Sequence, residues 1–399
     1  MKKVYFVNGG SFGSSWSICK SIATHLETNG CKTRIATPSQ RPLGYRFGYY
    51  KIGNPIGRFL GRMFSHIDGS DGFHNSMSTM FLIRDIVRFK PDIVHLHTLH
   101  GYFVNVRILL KFLKRKRIQT VITMHDCWWI TGRCTHFFQD SCFEWEQRCG
   151  HCRHCDIYPS AKLIDRSSHF FAVKAKLFKG YSLLTVTCVS NWLRDLASRS
   201  PFFKNKKPIT IYNGVDDAVF LQCPDSKKNY DFCFVANEWS KSKGVDVLNE
   251  ILTKMQYYRF LVVGRFATPM HLPANTINIL SVANPEEMAR IYSSSRYLVN
   301  VSKQETFSLI NIEAQLCGTP VICYSQTGMA ETADPEHSFL IDEYSFASFA
   351  DCMNKAAKSE TDVEGVRRFA KRFCKENMNE KFEQLYNCLL KEGTHEQSI

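Results

Sequence analysis

Glu305 and Glu313 stand eight positions apart in Ser302-Lys-Gln-Glu-Thr-Phe-Ser-Leu-Ile-Asn-Ile-Glu-Ala-Gln-Leu-Cys-Gly-Thr-Pro320. The short apolar run at 297–301 before them reads as a buried parallel strand. Gly318-Thr-Pro320 after them reads as a helix stop. Glu305 then lies in a loop, and Glu313, about two turns on at 3.6 residues per turn, faces roughly the same side. The helix between them offers free N–H groups and the positive end of its dipole. Phosphate binds at such a place. Two glutamates eight apart in a helical region are, by themselves, more often just solvated residues.

Other residues carry chemistry in weaker patterns. Gly9-Gly10-Ser11-x-Gly13 occupies the first strand-to-helix turn, where glycines let a phosphate or sugar approach the backbone. It is not a G-x-G-x-x-G, so a dinucleotide oxidoreductase is disfavoured. His125-Asp126 ends the apolar run 121–125. A histidine there can serve a cleft as donor or acid/base, or can simply be buried and hydrogen-bonded. His97 and His100 follow a similar run. Lys241 and Lys243-Gly244 follow the run 231–236, and a cation at that point suits a departing phosphate. The alternative is a pair of ordinary surface lysines. Gly264 and Val282 lie in two further turns of the same half.

The sixteen cysteines include the run Cys134, Cys142, Cys149, Cys152 and Cys155. Cys-x2-Cys is a frequent half-site for tetrahedral zinc, with His136, His151 and His154 as further possible ligands. A reduced, metal-free loop is the alternative reading. Only four apolar residues precede Asn8-Gly9-Gly10, too few for a signal-peptide core. Without a secretory context a disulfide framework is not expected.

A chain of 399 residues is too long for one core, and its 44% hydrophobic and 22% charged content is that of a globular protein. It has no apolar stretch long enough to span a membrane. Net charge is +14, which favours an anionic partner. Between Thr28 and Ile67 there is no Asp or Glu, while Arg41, Arg46, Lys51, Arg58 and Arg62 alternate with aromatics. Five glycines make that stretch read as irregular, and cations with interfacial aromatics suit a lipid headgroup region. Nucleic acid, or packing on its own domain, would also fit. Strand-like and helix-like runs alternate along both halves. This predicts α/β architecture with doubly wound parallel sheets and ligands beyond the strands' carboxyl ends.

The order strand, Glu305-x-Phe307-x-Leu309-x-x-x-Glu313-Ala, Gly-x-Pro-Val-Ile, then Thr327-Gly328-x-x-Glu331 resembles the signature of the family 4 retaining glycosyltransferases. Thr123-Met-His125-Asp126-x-Trp-x-x-Thr-Gly-Arg-Cys134 and the block from His97 to Asn105 resemble the subgroup that builds bacterial surface polysaccharides of the colanic-acid type. The resemblance implies a GT-B fold, two Rossmann-like domains facing a cleft. An acceptor-side domain would span 1–214, with a basic aromatic insertion at about 41–75 and the cysteine-rich loop 134–155. A donor domain would span 215–375, and a returning helix and frayed tail 376–399. It implies retaining transfer of a sugar from a nucleotide-diphosphate sugar to a polyprenyl-diphosphate-linked oligosaccharide, in the cytoplasm on the inner membrane face.

By the same resemblance Glu313 meets the donor ribose, Glu305 and His125 the transferred sugar, and Val282 the nucleotide base. Lys243 and the backbone of Thr306, Phe307, Ser308 and Leu309 meet the departing diphosphate. Gly9, Gly10, Ser11, His97 and His100 line the acceptor side. The family's arginine partner to Lys243 is replaced by Glu238, a departure that leaves Lys241 as the substitute cation. No Asp-x-Asp occurs, so the expectation is catalysis without a metal cofactor, with zinc at Cys134, Cys142, Cys149 and Cys152 only structural. A GT-B-like epimerase or phosphorylase remains an alternative. A zinc-containing nucleic-acid-binding protein is another, although the ordered second-half signature leads us to expect no nucleic acid.

Overall fold

The computed structural model describes all residues except 139, 140, 154, 157, 224, 225 and 396–399, and only the backbone of 392–395. His154 therefore lies outside the described residues. The chain divides into two compact units, Met1–Tyr212 with Met378–Ile399, and Asn213–Asn377.

The first unit is a seven-stranded sheet: β1 (Lys3–Val7), β2 (Lys32–Thr37), β3 (Gly48–Lys51), β4 (Ile93–Leu96), β5 (Gln119–Met124), β6 (Leu184–Cys188) and β7 (Ile209–Thr210). Its order is β3-β2-β1-β4-β5-β6-β7, every pair parallel. The second unit has β8 (Tyr230–Trp239), β9 (Phe260–Phe266), β10 (Thr276–Ile279), β11 (Ser295–Asn300), β12 (Val321–Tyr324) and β13 (Phe339–Ile341), in the order β10-β9-β8-β11-β12-β13. Central strands such as β4 and β5 are buried on both faces, which is why they read as short, largely apolar runs with only His95, Thr120 and Thr123 among their buried residues as polar breaks. Each sheet reverses its winding direction once, between β1 and β4 and between β8 and β11. Ligands bind at the carboxyl ends beside such a reversal.

The basic aromatic stretch is ordered, not irregular. Gly48 opens β3 because a side chain there would meet the carbonyl of Thr33 at 2.4 Å. Tyr45 and Tyr49 pack edge-on against Trp16, at 5.6 and 6.5 Å between ring centres, and Arg41 donates to the carbonyls of Tyr45 and Phe47. The helix Pro55–Asp68 follows, capped by Asn54, whose side chain accepts from the Gly57 N–H at 2.7 Å, and stopped by Gly69. The glycines thus serve pairing, capping and close packing. The segment 363–390 holds two helices. Val363–Ala370 ends in a short turn, Cys374 bridges to Val215, and Lys375–His395 begins. From Met378 onward that last helix belongs to the first unit, where Met378, Phe382 and Tyr386 join the core around Val4 and Phe6.

Candidate functional site

In the second unit the loops after β8 and β11 lie on either side of the reversal. The loop after β8 carries a single turn, Lys241–Lys243, closed by Gly244 in the left-handed conformation. The loop after β11 carries Glu305. Lys243 Nζ meets Glu305 Oε1 at 2.5 Å. The loops are stitched together by the Lys303 N–H to the Ser242 carbonyl and by Lys303 to Asp246 at 2.9 Å. Lys241 is exposed on the same turn and Glu238 is exposed on β8, in register with Arg265.

The helix Leu309–Leu316 starts at Ser308 and is held by buried polar contacts rather than by a side-chain cap. Asn300 Nδ2 donates to Ser308 Oγ at 3.0 Å and to Asn311 Oδ1 at 2.9 Å. Asn311 in turn donates to Thr332, and Gln315 donates to the Thr332 carbonyl and accepts from the Asp334 N–H. A satisfied buried network of this kind fixes one geometry, because any unpaired member is costly. It holds the start of the helix still against β11. The side chains of Thr306, Phe307 and Ser308 are buried, and Phe307 packs edge-on against Phe373. What this segment offers a ligand is therefore its backbone. Glu313 projects beside Tyr292, whose hydroxyl donates to Oε2 at 2.9 Å. Burial pushes the Glu313 carboxyl up to about 7, and the Tyr292 bond only partly offsets this. Gly264 is buried, and an added side-chain carbon would meet the Ala236 carbonyl at 2.0 Å, so only glycine fits between β8 and β9 there. Val282 is half-buried in the loop before the helix Pro285–Ser293.

In the first unit the turn after β1 meets the loop after β4. A side chain at Gly9 would sit 3.1 Å from the Thr98 carbonyl and 3.3 Å from that of His100. Gly10 is buried, and Ser11 donates to the Gln40 carbonyl at 3.2 Å. His125, at the end of β5, is bonded through Nε2 to His97 Nδ1 at 2.9 Å. His97 is fully buried, stacked on His125 and tilted against His95. It supports His125 and does not itself line a ligand surface, which corrects the expectation for it. Burial pushes His125 down to about 4, although Asp126 pulls it up. It is neutral at physiological pH, a hydrogen-bonding group and not a charged acid. His100 pairs with Asp126 at 2.7 Å. Burial opposes the charge on both, yet their mutual attraction wins: His100 is raised and Asp126 is held at about 2.

Two residues that sequence reasoning passed over hold this corner. Buried Asp71 accepts from the N–H groups of Gly101 and Tyr102, each at 3.0 Å, and from the Tyr158 hydroxyl at 2.9 Å. Lys174 is fully buried, donates to the carbonyls of Trp128 and Thr131, and lies 3.7 Å over the Trp128 ring. Burial brings it down to about 7. A lone Asp in a turn and a Lys in an apolar helix gave no signal, since both work through partners distant in sequence.

In the cysteine loop the Gly132 N–H donates to Cys149 Sγ at 3.1 Å and Arg133 donates to Cys152 Sγ at 3.3 Å. The neighbouring Cys152 and burial both push the Cys134 thiol up. All sixteen cysteines are free thiols. Among the described residues no three His, Cys, Asp or Glu side chains converge as a finished metal set.

The family model described as Glycosyltransferase Family 4 matches residues 17–219, and that described as Glycosyl transferases group 1 matches residues 229–359. The Escherichia coli (strain K12) protein named as a colanic acid biosynthesis glycosyl transferase, WcaC, is 25% identical over 255 residues, 60% of this chain and 62% of that protein. The chain thus spans about three fifths of that relative. The sucrose-phosphate synthase of Thermosynechococcus elongatus aligns with a TM-score of 0.71 at 15% identity, over 98% of this chain and 100% of that one. Anabaena HepE, solved with UDP and glucose, gives 0.68 at 14% identity over 97% and 100%. Such identities speak to fold, and the fold is the GT-B type with two parallel-sheet α/β domains. With the first family model covering more than half of the residues and the second covering most of the other unit, the chain belongs to glycosyltransferase family 4.

Proposed function

We propose that this glycosyltransferase moves a sugar, with retention, from a nucleotide-diphosphate sugar to a polyprenyl-diphosphate-linked oligosaccharide in the synthesis of a bacterial surface polysaccharide. The observation that carries the reading is the Lys243–Glu305 pair at the winding reversal of the second sheet, with Glu313 on the helix that follows. Lys243 and the backbone at 306–309 would neutralise the departing diphosphate, a preorganised arrangement that acts where charge develops. Glu305 would hold the transferred sugar and Glu313 the ribose hydroxyls. His125, neutral and braced by His97, would donate or accept a hydrogen bond at the reacting sugar. The anomeric carbon–oxygen bond to the diphosphate breaks as the acceptor hydroxyl bonds on the same face and passes its proton to the leaving phosphate. No metal cofactor enters this scheme. HepE, of the same fold, was solved with UDP and glucose, and WcaC is named for colanic acid synthesis; both favour this class of donor and product. The test is a thermal-shift screen with nucleotide sugars, since a donor that binds only the folded chain raises its melting temperature. No shift with any donor would overturn the reading.

Glu313 gives the reading a pH signature. Ribose hydroxyls donate, so the ionised carboxylate is the better partner. Ionisation rises with pH through about 7. Donor affinity should therefore strengthen as pH rises across that value, and Glu313→Gln should flatten the profile. Glu313→Ala should raise donor KM far more than it lowers kcat, because the contact exists in ground and transition states alike. An unchanged KM with a collapsed kcat would contradict this role.

The four thiols of Cys134, Cys142, Cys149 and Cys152 have the sequence spacing of a structural zinc site, although among the described residues their side chains do not converge as a metal set, so zinc would have to draw them together. Close to one zinc per chain is expected by elemental analysis of freshly purified, unchelated protein. Protein with no zinc that melts normally would assign the loop to reduced thiols instead.

A further inference from the structure

The helix Pro55–Asp68 is amphipathic the wrong way round. A surface helix of a globular protein normally turns its large apolar residues to the core. This one turns Gly61 and Ser65 inward, with Gly57 half-buried beside them. The seat is close. A side chain at Gly57 would meet Asn75 Oδ1 at 2.7 Å, and one at Gly61 would meet Asn75 Nδ2 at 2.7 Å and the Tyr102 carbonyl at 3.2 Å. Outward go Ile56, Phe59, Leu60, Met63, Phe64 and Ile67, with Ile56 72% and Phe59 62% exposed. At 3.6 residues per turn these six cover an arc of roughly 140°. Arg58 and Arg62, both exposed, form the stripe along one edge of that arc. The small-residue seat borders the other.

The apolar face continues beyond the helix. The N–H groups of Leu163 and Ile164 donate to the Ile67 carbonyl at 3.0 and 2.9 Å, and both side chains are exposed. Apolar surface gathered in this way marks an interaction site, whereas singly scattered residues do not.

We propose that this face lies on an anionic phospholipid surface, its apolar arc in the acyl boundary and its arginine stripe at the headgroups. The proposal rests, for its purpose, on the reading that the acceptor is lipid-linked. Charge selects the occupant. The stretch from Thr28 to Ile67 holds no Asp or Glu, and Arg46, Lys51, Arg58 and Arg62 are exposed along it. Anionic lipid complements that field. A second copy of the chain would bring two such stripes together. Among the described residues no helix is long and apolar enough to cross a membrane, so contact through this helix is interfacial.

The experiment is co-sedimentation of the full chain with phosphatidylglycerol/phosphatidylethanolamine vesicles and with phosphatidylcholine vesicles, for wild type, Phe59→Ser/Met63→Ser/Phe64→Ser and Arg58→Gln/Arg62→Gln. Wild type should bind the anionic vesicles, less so in high salt. The triple variant should lose roughly tenfold or more of its partitioning to both vesicle types, since the apolar arc is gone. The arginine variant should lose its preference for anionic vesicles. Both should melt like wild type, and both should lose transfer to a lipid-linked acceptor while keeping transfer to a soluble analogue. Wild type that ignores anionic vesicles, or a triple variant that sediments like wild type, overturns the proposal. So does a wild-type dimer that the triple variant dissolves without any vesicle binding, which would assign the face to a second copy. Vesicle binding that follows these substitutions in a chain that binds no nucleotide sugar leaves the surface standing and removes the transferase reading beneath it.

Discussion

Glu305→Gln should lower kcat by about two to three orders of magnitude at an unchanged melting temperature. The substitution keeps the shape of the side chain and removes its charge. In the wild type that charge holds the Lys243 ammonium at 2.5 Å, across two loops that meet at the winding reversal of the sheet. Both groups are partly open to solvent, so the pair adds little to stability. On the function proposed above its value would lie in placement: the ammonium would stand where a diphosphate leaves, and the carboxylate where the sugar sits. Lys243→Met should cost a similar factor, and the double variant should cost much less than the product of the two, because partners in one unit are not independent. The measurement is steady-state kcat for all three variants with donor binding followed separately. A Glu305→Gln enzyme within about threefold of wild-type kcat would take Glu305 out of the reaction centre.

Much of this arrangement was legible in the sequence, for a local reason. Glu305, Lys243 and His125 lie within five residues of the ends of buried strands, Glu313 lies on the helix after β11, and a buried parallel strand announces its own end by a change from apolar to polar residues. What could not be read is the pairing across the sheet. The His97–His125 bond joins residues 28 apart, and Asp71 reaches Gly101 and Tyr102 at 30 and 31. Lys174 pins the Trp128 and Thr131 carbonyls from more than 40 residues away. Such contacts depend on the order of the strands, which periodicity alone does not give. The helix Pro55–Asp68 escaped for another reason. Its large residues face out and its glycines in, so the usual rule linking apolar spacing to burial points the wrong way.

Gly244→Ala should both destabilise the second unit and loosen the Lys243–Glu305 pair. Gly244 has φ of 73°. An added side-chain carbon would lie 2.0 Å from the Val301 carbonyl oxygen and 2.4 Å from the Tyr344 hydroxyl, which itself donates to that carbonyl at 2.6 Å. Neither neighbour is a flexible tip. The carbonyl is backbone at the end of β11, four residues before Glu305, so the loop with Lys243 must move away from the loop with Glu305. Left-handed backbone costs a non-glycine residue about 1–2 kcal/mol. Overpacking adds about 1–3 kcal/mol. Gly30→Ala is the matched control: its φ is 76°, and nothing lies within 4 Å of the added carbon. It should lose only the conformational part and leave catalysis alone. Denaturant melts of the two variants, with donor binding and kcat measured on each, separate strain from function. If Gly244→Ala melted like Gly30→Ala and turned over like wild type, the two loops would not be locked together at this point, and the placement argued for Lys243 would fall with them.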